Sequence, residues 1–190
     1  MPVNRPMDTN RFVAACRSAA LAHDPVAAVR RTLQDAVGTL AAGETTLAPL
    51  EPRYACRSGD ALLGHDCTLF EDDTVTVVVV ETEPGYLQPA HNHGMCAVIG
   101  VFEGGESNRF FRRTPAGARL ATRRIVRPGE VIAMRERTVH AISADGDARC
   151  RALHVYLGCL SKQSRTLFHP DTGAAEAFDF ETYLRYVRAA

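Results

Sequence analysis

The sequence predicts a mainly β fold, a double-stranded β-helix of the jelly-roll barrel type, with a helix pair at the N-terminus and one helix at the C-terminus. Three observations carry this. From Cys67 onward the apolar residues recur with the two-residue period of strands. These runs are short and evenly spaced, and Glu103-Gly-Gly, Thr114-Pro-Ala-Gly, Arg127-Pro-Gly and Ala144-Asp-Gly mark turns between them, as in an antiparallel barrel. Finally, 190 residues that are 46% hydrophobic suffice for one domain with a sizeable core.

In chain order, residues 1–9 hold no element, and Asn10–Ala22 reads as a short helix. Asp24 is an N-cap followed by Pro25 at the first helical position. Val26, Val29, Leu33, Val37 and Leu40 then recur at helical spacing until Gly43 ends the pattern. Residues 1–45 are thus a helical extension packed outside the barrel, with a dimerisation or lid element as the functional alternative. Residues 44–66 read as irregular. Val75–Glu81 is a buried strand rich in β-branched residues, and further strands are expected at 96–103, 108–113, 118–126, 130–134, 138–143 and 149–157. The barrel spans 46–160. Residues 161–190 add a loop over 161–177 and a helix over Asp179–Arg188 with Phe180, Leu184 and Val187 inward, all within one structural domain.

Charge narrows the partners. Twenty-two basic and 22 acidic residues cancel, which gives no global attraction to nucleic acid or an anionic membrane. Nine arginines between Arg109 and Arg137 against Glu130 and Glu136 leave a local balance of +7, yet no aromatic stacking motif accompanies them. Pairing with the acidic run Glu71-Asp72-Asp73, Glu81 and Glu83, across strands or between subunits, is the expected use; no nucleic acid partner is expected, and a homodimer is the assembly allowed for. No apolar run approaches the ~18 residues of a membrane span. Six cysteines form no Cys-x-x-Cys, and no apolar leader opens the chain, so reduced thiols and a cytoplasmic location are expected.

One stretch organises the rest: Gly85-Tyr-Leu-Gln-Pro-Ala-His91-Asn-His93-Gly94. Histidines at i and i+2 of an extended segment share a face, so both imidazoles can converge on one metal ion. A third, His140, lies eleven residues after Gly129 within the apolar alternation Val139–Ile142. His154 and Tyr156 likewise share a strand face. His23, His65 and His169 fall in loops or at helix ends and are expected at the surface.

These residues resemble the cupin superfamily, whose first motif spaces Gly, His-x-His, Glu and Gly as Gly85, His91, His93 and Gly104 or Gly105 are spaced here. Its glutamate position falls on Ala97 or Val98, so the carboxylate ligand is missing. Gly129 and His140 match the second motif. A three-histidine cupin without a carboxylate looks like the thiol dioxygenases, in particular bacterial cysteine dioxygenase-like proteins. The resemblance rests on His91-Asn-His93-Gly94, Ala97-Val-Ile-Gly-Val101, Gly104, Glu106, Asn108, Arg112/Arg113 and His154-Val-Tyr156, and covers roughly 66–160.

The resemblance implies Fe(II) held by His91, His93 and His140, and dioxygen-dependent oxidation of a small organic thiol to its sulfinate. It also implies catalytic roles for His154, as positioner, and Tyr156, as hydrogen-bond donor toward oxygen. Three imidazoles alone would equally accept zinc. Three departures stand out. Ala152 replaces the serine of the Ser-x-His-x-Tyr pattern. Val98 occupies the position of the cysteine that forms a thioether to the tyrosine in animal enzymes, and Cys96 has the opposite parity to His93, so no crosslink is expected. The upstream arginine that grips the substrate carboxylate is absent, with Arg53, Arg57, Arg112 and Arg113 as unranked replacements. Two alternatives stay open, a three-histidine dioxygenase cleaving a carbon–carbon bond of β-diketone type, and a non-catalytic cupin that binds metal or ligand.

Overall fold

The structure, a computed structural model, describes residues 5–59 and 61–190. Strand β1 (Arg5–Pro6) precedes helices α1 (Thr9–Ala20) and α2 (Pro25–Ala41), and β2 (Thr45–Thr46) pairs back on β1. Then follow β3 (Tyr54–Ser58), β4 (Ala61–Glu71), β5 (Thr76–Thr82), β6 (Tyr86–Leu87), β7 (Ala97–Glu103) and β8 (Glu106–Thr114). Next come β9 (Gly117–Val126), β10 (Val131–Met134), β11 (Val139–Ala144) and β12 (Cys150–Tyr156). The chain closes with β13 (Thr166–Phe168), β14 (Ala175–Ala177), α3 (Phe180–Arg185) and β15 (Arg188–Ala189), which pairs with β6.

Two antiparallel sheets make the double-stranded β-helix. One runs β10-β7-β12-β5-β4-β3 and the other β11-β8-β9. The histidine segment extends the second sheet: His91 and His140 exchange backbone hydrogen bonds at 2.8 and 2.9 Å, and Phe168 N donates to Ala90 O on the far side. The run 85–94 is therefore clamped between β11 and β13 through its backbone.

The near-continuous apolar runs of the large sheet follow from burial on both faces. Val77, Val79, Val98, Leu153 and Val155 face outward onto Val29, Leu33 and Val37 of α2 and Phe12 and Cys16 of α1. The alternate residues Val78, Val80, Ala97, His154 and Tyr156 turn into the barrel. Both helices begin on the capping aspartates Asp8 and Asp24, whose carboxylates accept from Arg11 N and Ala27 N at 3.0 Å. Gly100 is where α2 seats on β7: a β-carbon there would stand 2.8 Å from Cγ1 of Val37.

Several expectations change. Residues 44–66 are not irregular, since β3 and most of β4 lie there. Asp66 and Thr68 of β4 and Cys56 of β3 line an internal cavity, and that polar lining breaks the apolar alternation a strand would otherwise display. The loop at 161–177 contains the β13–β14 pair. The last helix is shorter, Phe180–Arg185, and its buried residue is Tyr183 rather than Phe180, which is 37% exposed. Phe180 instead stacks on Tyr183, whose hydroxyl donates to Gln88. The expected cross-strand pairing of acidic and arginine-rich runs is not found among the described residues. Asp72 pairs with Arg17 at 3.0 Å, Asp73 with Lys162 at 2.8 Å and Glu81 with Arg151 at 2.7 Å. In the β8–β9 register Arg109 stands opposite Arg123 and Arg112 opposite Arg119.

Candidate metal centre

His91, His93 and His140 are all buried, and a potential ligand atom from each lies within 4.8 Å of the others. Backbone and side-chain acceptors set two of the rings. The Nδ1 of His91 faces Pro89 O at 2.9 Å, and that of His140 faces Asn108 Oδ1 at 2.9 Å. Both acceptors favour the proton on Nδ1 and leave Nε2 free. Nε2 of His93 and Nε2 of His140 are 2.9 Å apart, close to the separation of two nitrogens each about 2.1 Å from one ion and at right angles to each other. Asn92, between the first two histidines, points the other way and accepts from Thr166 N at 2.7 Å.

Burial keeps these rings neutral. It lowers His91 to about 4 and takes His93 and His140 well below the ordinary histidine value, with the neighbouring imidazoles adding to the effect on the latter two. Three uncharged imidazoles are a metal-ready donor set that suits iron, zinc, copper or nickel. Ala97 and Val98, at the motif's glutamate position, are fully buried and bring no ligand. The chain thus has a three-histidine metal-binding group.

Tyr156 adjoins it. Its ring centroid is 4.9 Å from that of His93, its hydroxyl lies 3.1 Å from Nδ1 of His154, and burial raises the phenol far above its usual value. Ala97 lies opposite Tyr156 in the β7–β12 register, which puts Cys96 on the other parity. Ala152 packs in an apolar cluster with Ile99 and Met134 and offers no hydroxyl.

The three histidines, His154 and Tyr156 share one cavity of about 260 Å³, the scale of a small molecule. Of the four arginines considered from sequence, Arg53 lines it; Arg57, Arg112 and Arg113 do not. Arg165 was missed. Its guanidinium lies over the Phe178 ring at 3.6 Å, lines the cavity and makes no salt bridge among the described residues. Asp66, Gln88 and Tyr183 were also missed, and burial raises the Asp66 carboxyl above its ordinary range. No motif signals them, because they come from separate stretches of the chain that only the fold assembles. His23 is exposed, His65 and His169 are half-buried, and none of the three joins the site.

No family model matches the chain, and no curated protein matches it. Among solved structures it is similar to an uncharacterized conserved Klebsiella pneumoniae protein with a double-stranded β-helix domain, at 15% identity and TM-score 0.46. That match covers 58% of this chain and 83% of the other. It is also similar to a mutant of Bacillus subtilis oxalate decarboxylase, at 15% identity and TM-score 0.48, covering 62% of this chain and 30% of that one. The same enzyme at pH 4.6 gives 17% identity and TM-score 0.45, over 56% of this chain and 28% of that one. The chain therefore spans under a third of those two oxalate decarboxylase chains. Its own strand order and side chains define the class, a double-stranded β-helix protein of the cupin architecture with a three-histidine metal-binding group.

Proposed function

We propose that this protein is an iron(II) dioxygenase that converts a small organic thiol to its sulfinate. The observation that carries the reading is a carboxylate-free set of three buried histidines with the Tyr156 ring 4.9 Å from His93. Three neutral imidazoles bring no negative charge to a divalent ion, so the site favours a substrate that brings its own, and a thiolate does so. Iron(II) held by His91, His93 and His140 would supply a redox-active centre at which thiolate and dioxygen meet. The reaction balances without a further reductant: a thiolate and one dioxygen give a sulfinate, sulfur losing the four electrons that oxygen gains.

The protein's own groups supply the rest. The cavity is walled by Val78, Val80 and Ile142 on its apolar side, which limits water at the reacting sulfur. His154 Nδ1 and the Tyr156 hydroxyl stand 3.1 Å apart, which fixes the phenol beside His93; the hydroxyl turns from His154 to the bound substrate when it acts as proton donor. Arg165, which makes no salt bridge among the described residues, is the group that takes a carboxylate on the thiol. The guanidinium thus reaches the site from downstream of the barrel.

The test is iron loading under anaerobic conditions, then cysteamine, cysteine and 3-mercaptopropionate at equal concentration with oxygen uptake as readout. Thiol-dependent uptake with sulfinate as product is expected. A protein that oxidises none of these thiols but cleaves a β-diketone contradicts the reading.

A further inference from the structure

Glu106 is fully buried at the start of β8, yet it faces neither solvent nor the metal-binding group. Its Oε1 accepts from Asn108 Nδ2 at 2.8 Å. The other end of that amide, Asn108 Oδ1, faces Nδ1 of the ligand His140 at 2.9 Å. Its Oε2 lies 3.4 Å from Nε2 of His154, and both of these buried atoms are without a hydrogen-bond partner. His154 Nδ1 in turn meets the Tyr156 hydroxyl at 3.1 Å. A single line of polar atoms therefore runs from a metal ligand to the phenol, with one carboxylate at its centre.

Hydrogen-bond direction along this line is dictated by that carboxylate, because an ionised carboxylate only accepts. Accepting from Asn108 turns the amide oxygen toward His140, which must then carry its proton on Nδ1 and keep the Nε2 lone pair for a metal. Accepting from His154 requires the proton on Nε2, which leaves Nδ1 to accept from Tyr156. With Glu106 ionised and both imidazoles neutral, the opposite tautomer of either ring sets two acceptors face to face and leaves a buried polar atom unsatisfied, at a cost of about 1–3 kcal/mol.

We propose that Glu106 is a positioning residue that fixes two protons at once, on Nδ1 of His140 through Asn108 and on Nε2 of His154 directly, thereby coupling the metal ligand to the orientation of the Tyr156 hydroxyl. The carboxylate missing from the ligand set is present one layer out, where it orients a ligand instead of binding the ion. This goes beyond the thiol reading and stands whichever substrate the cavity takes.

The test reads tautomers in metal-free protein by nitrogen-15 NMR of histidine-labelled samples, with signals assigned by single histidine substitutions. In the unmodified chain His140 is expected as the Nδ1–H form and His154 as the Nε2–H form. Glu106→Gln keeps the shape but offers one acceptor and one donor. With its oxygen kept by Asn108, its amide faces His154 and moves that proton to Nδ1. Finding His154 as Nδ1–H in the unmodified chain, or as Nε2–H in Glu106→Gln, overturns the proposal; the first outcome needs no variant to fold.

Discussion

The hydroxyl of Tyr156 has one hydrogen-bond partner, His154, and its ring lies against one ligand, His93. Tyr156→Phe removes the hydroxyl while leaving that ring contact, so iron content and thiol binding should persist. Turnover should fall by roughly the 10²–10⁴ typical of a lost proton donor, measured in single-turnover and steady-state assays. Arg165 carries the second prediction at this scale. A charged hydrogen bond is worth about 1.5–3 kcal/mol, so Arg165→Met should raise KM for 3-mercaptopropionate by about 10- to 100-fold. Cysteamine, which has no carboxylate, should be nearly unaffected. The contrast between these two residues marks how far the sequence can be read. Tyr156 and His154 are two residues apart on one strand, as are His91 and His93 on one extended segment, so local periodicity reveals each pair. Arg165 follows the barrel by nine residues in a stretch with no periodic signal, and only the β13–β14 pair brings it to the cavity. The richness in arginine hid it further, since one arginine among 21 carries little weight by itself.

Among the elements, β12 does most to place the site. It lies between β5 and β7, buries Leu153 and Val155 under the helices and turns His154 and Tyr156 inward. The same alternation governs crosslinking. Because Ala97 stands opposite Tyr156 and Cys96 has the other parity, peptide mapping of active protein should find Cys96 and Tyr156 unmodified. A loss of two hydrogens localised to that pair would contradict the register. The strands from β7 to β12 were legible because each is bounded by turn residues; β7, β11 and β12 are also buried on both faces, whereas β9 is largely exposed. The β3–β4 hairpin was not, because Cys56, Asp66 and Thr68 serve the cavity and interrupt its pattern. The site erased the secondary-structure signal of the element that walls it.

Across the whole molecule, the buried histidines couple acid stability to the site. The unfolded chain binds a proton near pH 6.5, whereas native His91 resists until about 4, and His93 and His140 resist still further. Where the unfolded state binds more protons, stability rises with pH. This contribution is therefore complete above 6.5 and is lost as pH falls through the window toward 4 and below. Denaturation midpoints of chelator-treated protein should drop steadily across that range; a flat profile would show that the imidazoles are not held neutral. The two sheets and the C-terminal segment converge on one cavity that holds the three-histidine metal-binding group, while the N-terminal helices pack on the outer face of the larger sheet. The most direct measurement is turnover of the iron-loaded protein under isotopically heavy dioxygen, with the product's oxygens read by mass spectrometry. The account predicts a sulfinate carrying two heavy oxygens. A sulfinate carrying oxygen from water, or no sulfinate with any of the three thiols, would contradict it.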